Sequence, residues 1–176
     1  SYSITEIADF CAVNIELKDG YYQFNLKTPE VTIEKLVLNY PGLLNVENAV
    51  AASALSLLAG VSSEEIRGAL TTYAGVKRRF DVHLKNEKFV LIDDYAHHPE
   101  ELTAAITAAK QLYPDKVITG IFQPHLFSRT RDFVNEFAAS LDLLDVCVLL
   151  EIYPAREQPI DGVNAQWLLD KMTCKN

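Results

Sequence analysis

Three short segments of this chain crowd together groups able to hold or move charge. Asp93-Asp94-Tyr95-Ala96-His97-His98-Pro99 sets two carboxylates, a phenol and two imidazoles side by side. Gln123-Pro124-His125 runs on to Ser128-Arg129-Thr130-Arg131, and Glu151-Ile152-Tyr153-Pro154-Ala155-Arg156-Glu157 mixes both signs of charge. Arginine forks grip carboxylates and phosphates through paired N–H donors, so the second segment suits an anion. The first is ambiguous by itself. Its Asp and His residues suit a substrate, or a zinc ion with His125 or Glu151 as further ligands; in a purely structural reading Asp94 caps the loop and His98 lies on the surface beside Pro99. Adjacent histidines usually diverge, which works against a shared ion, and no metal site is assigned.

The elements that must position these segments are strands alternating with helices. Phe89 to Asp93, Val117 to Phe122 and Val146 to Glu151 are apolar runs of strand length. Helices are expected from Pro99, a suitable first-turn residue, from about Arg129 to Leu143, and around Ala165 to Met172. Three strand-helix units predict a parallel sheet covered by helices. Ligands of such sheets bind beyond the carboxyl ends of the strands, where all three charged segments fall, whereas the opposite ends are ordinary solvated sequence such as LKNEK and YPDK. Arg129 and Arg131 at a helix start would oppose its dipole by up to about 1 kcal/mol, a conflict that a bound anion removes. Surface pairing with Asp132 or Glu136 is the alternative.

The front of the chain has a different grammar. FCAVNIEL and YYQFNL flank Asp19-Gly20, a strong hairpin signal, and VTIEKLVL follows, so a small antiparallel sheet is predicted. Asn45 to Leu58 reads as a helix stopped at Gly60, and Ser62 and Glu65 have capping-box spacing for a second helix reaching about Tyr73. Both should pack on the sheet. Asn45 and Asn48 lie on one helix face and can offer a donor and an acceptor to a base edge, although an Asn at a helix start is also a good N-cap. Arg78 and Arg79 stand in the turn before the strand-helix units, suited to a nucleotide phosphate or to plain solvation. The domain boundary is expected near Phe80 to Lys85.

Bulk properties narrow the classes. The chain has 176 residues, 49% hydrophobic, with 24 acidic against 16 basic side chains and a net charge of −8. That length supports a buried core, and that charge repels a nucleic-acid backbone. Cys11, Cys147 and Cys174 show no paired spacing, and Cys147 in VCVLL reads as a buried thiol in a reducing compartment. No leader is visible, and no apolar run approaches the roughly 20 residues that span a bilayer. The abrupt ends suggest an excised fragment.

GVKRRF, LIDDYAHHPEE and FQPHLFSRTRD, in this order and separation, resemble the Mur ligases, in the forms carried by members that add L-alanine. The similarity runs from about Asn39 to Asp161. It implies an α/β fold: a Rossmann-like parallel sheet with flanking helices at 82–176, truncated, preceded at 1–81 by a β-hairpin and helix remnant of a central ATP-binding domain. The implied reaction joins L-alanine to UDP-N-acetylmuramate through an acyl phosphate, using ATP and Mg²⁺, in the bacterial cytoplasm. By resemblance, Asn45 and Asn48 contact adenine, Arg79 the phosphates and Asp94 the ribose. Tyr95, His97 and His98 lie where amino acid and acyl phosphate meet, and Arg129, with Arg131 beside it, suits the alanine carboxylate. Neither nucleic acid nor membrane is an expected partner, and a truncated sheet edge opens a route to self-association. Three departures stand out. Leu44 replaces a common His, Leu126 a common Arg, and no G-x-x-x-x-G-K-[ST] phosphate loop is present, so the fragment alone should not hydrolyse ATP. A ligase that recycles a whole tripeptide, and a non-catalytic nucleotide-binding or interaction module, remain as alternatives.

Overall fold

The structure is a computed structural model that describes residues 1–18 and 20–173. It divides into two compact units, Ser1–Asp93 and the remainder from Asp94. The first opens with a four-stranded sheet in the order β1 (Tyr2–Ser3), β2 (Phe10–Lys18), β3 (Tyr21–Lys27) and β4 (Thr32–Leu38). Lys18 faces Tyr21, so a two-residue turn joins β2 to β3; Gly20 supplies the φ of +86° that such a turn demands, and Asp19 lies outside the described residues. The expected antiparallel pairings are present, and β1 adds a short parallel edge that the sequence did not signal.

Alternation along β3 and β4 buries Phe24, Leu26, Leu36 and Leu38. Helix α1 (Leu43–Leu58) packs on β1, β2 and β3, burying Val46, Ala49, Val50, Ser53 and Ala54, the spacing of one helical face. It ends in a Schellman motif: Val61 N–H donates to Ser56 O and Gly60 N–H to Leu57 O, with Gly60 at φ +89°. Helix α2 (Ser63–Thr72) starts with the expected capping box, in which Glu65 N–H donates to Ser62 Oγ while Glu65 Oε2 accepts from the Ser62 amide. It packs along β4, and Arg67 Nη1 donates to Lys35 O at 2.9 Å. A hairpin of β5 (Asp81–Lys85) and β6 (Val90–Asp93) closes the unit.

The second unit consists of α3 (Pro99–Leu112), β7 (Thr119–Phe122), α4 (Phe127–Asp132), α5 (Val134–Leu141), β8 (Val146–Leu149) and α6 (Ala165–Leu169). Strands β7 and β8 pair in parallel from Thr119↔Val146 to Phe122↔Leu149. Their inner face meets Leu102, Ile106, Val134, Phe137, Leu141, Leu144, Leu168 and Met172 in one core. Pro99 takes the expected first-turn place, and Thr103 Oγ1 donates to Ser140 Oγ, which ties α3 to α5.

Two expectations are corrected here. Among the described residues β6 pairs with β5, antiparallel, a pairing that was not foreseen. The two strands are separated only by the turn at Asn86, whose Oδ1 accepts from the Lys88 and Phe89 amides, and so short a closure costs little entropy. The α/β class stands, with the parallel pairing carried by β7 and β8. The single helix expected over Arg129 to Leu143 is two, broken at Phe133 (φ −120°, ψ 25°). Cys147 is half-buried rather than buried, Cys11 is buried, and Cys174 lies outside the described residues.

Candidate functional site

The loops that leave β6, β7 and β8 are tied together within the second unit. In the first, Asp94 Oδ1 accepts from the Ala96 amide at 2.7 Å, so Asp94 does shape its own loop. Glu101, in the first turn of α3, turns its carboxylate back to accept from the His97 amide at 2.9 Å and the His98 amide at 3.2 Å. The two rings then part company. His97 Nδ1 lies 2.9 Å from Tyr95 O and 3.2 Å from Glu101 Oε2, while the half-buried His98 ring meets Phe133 edge-on with centroids 4.8 Å apart. Divergence of this kind prevents joint ligation, and among the described residues no three His, Cys, Asp or Glu side chains are grouped to hold a metal ion.

The second and third loops are laced by backbone and side chain. Tyr153 N–H donates to Pro124 O and Leu126 N–H to Tyr153 O, and the His125 and Tyr153 rings stack at 5.5 Å. Gln123 Nε2 donates to Glu151 O, and Glu157 accepts from both the amide and the hydroxyl of Ser128. Those Ser128 bonds, the hydroxyl's first, hold the Glu157 carboxyl below its ordinary range, assisted by the charge of Arg131.

The two arginines are not where the helix-start argument put them. Helix α4 begins at Phe127 behind the N-cap Leu126, so Arg129 and Arg131 occupy its last turn and no dipole conflict arises. Arg131 forks onto Asp132 at 2.8 Å, the surface pairing offered as the alternative. Arg129 differs: it is half-buried, and its Nη1 is enclosed with no hydrogen-bond partner among the described residues. An enclosed, unpaired guanidinium nitrogen costs on the order of 1–3 kcal/mol. Its helix ends on Phe133, the ring that carries His98, so the first loop is fixed against the helix that bears Arg129.

In the first unit, Asn45 is a third-position residue of α1 rather than its cap, because the chain turns into the helix at Gly42 with φ +92°. Its Nδ2 donates back to Pro41 O at 2.6 Å, and Asn48 Nδ2 reaches Asn45 Oδ1 at 3.4 Å. The pair is therefore linked, with Asn48 exposed at the open end. The exposed Arg79 rides on a turn whose neighbours Arg78 and Phe80 both take left-handed φ values, +61° and +45°. Arg78 Nε lies 3.7 Å from Asp93, and the Arg78 amide donates to Asp81. A cleft of about 420 Å³ opens beside this turn, lined by Tyr40, Ala74, Val76, Lys77, Phe80 and Val82 among others. Sequence reasoning gave no role to Glu101 or Glu157. The first was detectable, since it stands three residues beyond the N-cap His98; the second had no local signal.

Residues 78–176 match the family model described as Mur ligase, glutamate ligase domain. The chain is 53% identical over 173 residues to a UDP-N-acetylmuramate–L-alanine ligase of Parabacteroides distasonis, covering 98% of this chain and 37% of that protein. It is 49% identical to the ligase of the same name from Christiangramia forsetii, covering all of this chain and 39% of that one. It thus spans well under half the length of these curated relatives. Among solved structures, the UDP-N-acetylmuramate-alanine ligase of Thermotoga maritima superposes with a TM-score of 0.75 at 28% identity, covering 86% of this chain and 34% of its own. A murein peptide ligase of Psychrobacter arcticus does so at 0.60 and 25%, covering 97% and 35%. With more than half its residues matched by the family model and these relatives on either unit, the chain belongs to the Mur ligase family.

Proposed function

We propose that this chain is part of an ATP-dependent ligase that joins L-alanine to UDP-N-acetylmuramate in peptidoglycan synthesis in the bacterial cytoplasm. The observation that carries the reading is the 53% identity, over 98% of this chain, to a ligase of that name, with Arg129 half-buried on the helix that the first and third loops hold through Phe133 and Ser128. Residues 1–81 would close a central nucleotide-binding domain, and 82–176 would bring the amino acid.

On this reading Asn45 and Asn48 face adenine, Arg79 the phosphates and Asp94 the ribose. The γ-phosphoryl group of ATP passes to the lactyl carboxylate, giving an acyl phosphate and ADP. The amine of L-alanine then attacks the acyl carbon, the C–N bond forms, and phosphate leaves. Such chemistry depends on positioning and on neutralising charge. Arg129, with Arg131 nearby, would fix the alanine carboxylate, while Tyr95, His97 and His98 would line the junction of amine and acyl phosphate. Mg²⁺ would be held mainly by the remainder of the full-length protein, with the nucleotide phosphates. The isolated chain, with β7 and β8 as its parallel pair, has an open sheet edge through which it would self-associate.

The test is ADP release by the full-length protein with ATP, UDP-N-acetylmuramate and either L-alanine or an L-alanine-headed tripeptide. Turnover with L-alanine supports the proposal. Turnover with the tripeptide alone assigns the recycling reaction instead, and ATP binding without turnover on either acceptor assigns a binding module.

A further inference from the structure

Helix α4 carries the residue on which the proposed site turns, yet it begins without a cap of its own. Leu126 precedes it at φ +76°, and no side chain of that residue can accept from the first-turn amides. The missing acceptor arrives from another loop. Glu157, 29 residues along the chain, places Oε2 at 2.9 Å from the Ser128 amide and Oε1 on the Ser128 hydroxyl. Its own placement is tightly specified: Glu157 N–H donates to Pro154 O across a turn in which Ala155 takes φ +51°, and Tyr153 exchanges backbone bonds with Pro124 and Leu126. Non-glycine residues rarely adopt left-handed conformations, and two of them flank this one contact. Ser128 is the immediate neighbour of Arg129, so the direction of the Arg129 side chain is set by where Glu157 holds the start of α4.

We infer that Glu157 is a positioning residue for amino-acid binding: it caps α4 from the loop after β8 and so aims Arg129 at the substrate carboxylate. The inference rests on the reading of Arg129 given above. Glu157 touches no reacting atom, and its effect is transmitted through Ser128.

The experiment compares the full-length protein with Glu157→Ala, Glu157→Gln and Ser128→Ala, measuring KM for L-alanine, KM for ATP and kcat. Misaiming a clamp residue should raise KM for L-alanine by about 10-fold or more in Glu157→Ala while KM for ATP stays within about twofold. Glu157→Gln keeps an acceptor for the Ser128 amide and should restore most of the loss, and Ser128→Ala, which keeps the amide, should fall between. Should Glu157→Ala fail to fold, the graded order of the other two carries the same information. An unshifted KM for L-alanine in all three, or parallel rises in both KM values, would overturn the inference while leaving the ligase reading intact. A wild-type protein without L-alanine-dependent turnover would overturn both.

Discussion

Glu101→Ala is the perturbation whose size follows most directly from the structure. The Glu101 carboxylate accepts from two backbone amides, those of His97 and His98, at 2.9 and 3.2 Å, and it lies at the start of α3 where a negative charge favours the helix dipole. Both amides are half-buried, so water replaces part of what is lost, and each orphaned donor should cost toward the low end for such bonds, about 0.5–1 kcal/mol. The total is about 1–2 kcal/mol. For a unit of this size that corresponds to a fall in melting temperature of about 5–10 °C. Trp167, the single tryptophan, packs against the core of the second unit, so its fluorescence reports on the relevant transition. Glu101→Gln, which keeps one acceptor, should lose less than half as much. A Glu101→Ala chain that melts within about 1 °C of the parent would show that the carboxylate does not hold this loop.

Further outcomes follow from other contacts. Gly75→Ala should destabilise the first unit by about 2–4 kcal/mol in urea titration, because Gly75 has φ +83° and an added Cβ would sit 1.9 Å from the Tyr40 ring. Arg131→Ala, which breaks an exposed pair with Asp132 and weakens the charge interaction with Glu157, should change the unfolding free energy by no more than about 1 kcal/mol. Acid should act through Asp145, whose carboxyl is held low by the Ile118 amide and by Lys110, and through Glu157, held low by Ser128. Their folded values lie below the unfolded ones, so their contribution is complete above about pH 4.5 and is lost as pH falls through the folded values. Asp145→Asn should therefore flatten the acid limb of a melting-temperature profile below about pH 4 and leave the plateau near neutrality unchanged in shape.

What was legible in the sequence was mostly what local hydrogen bonding decides. Pro99 at a first turn, Ser62 with Glu65, and Gly60 at a helix end are rules about neighbours, and each element begins or ends as expected. The pairing of β6 with β5 was not legible, because Asp81–Lys85 is mostly exposed and carries no apolar run to mark it as a strand. The break at Phe133 was hidden for a similar reason. Nothing in FSRTRDFVNEF forbids one helix, and the interruption accompanies the packing of the Phe133 ring on His98, two loops away. That misplaced start led to the dipole argument for Arg129, whereas the enclosure of its Nη1 became apparent only from the fold. Glu157 is the extreme case: its partner Ser128 is 29 residues away, and no spacing rule connects them.

The central claim is that Arg129 receives the carboxylate of the amino acid. The most direct measurement is the KM for L-alanine of the full-length protein against that of Arg129→Ala, at saturating ATP and UDP-N-acetylmuramate. Losing a charge-assisted bidentate contact worth about 3 kcal/mol should raise that KM by about 100-fold and leave the KM for ATP nearly unchanged. An Arg129→Ala protein that retains the parental KM for L-alanine would contradict the assignment.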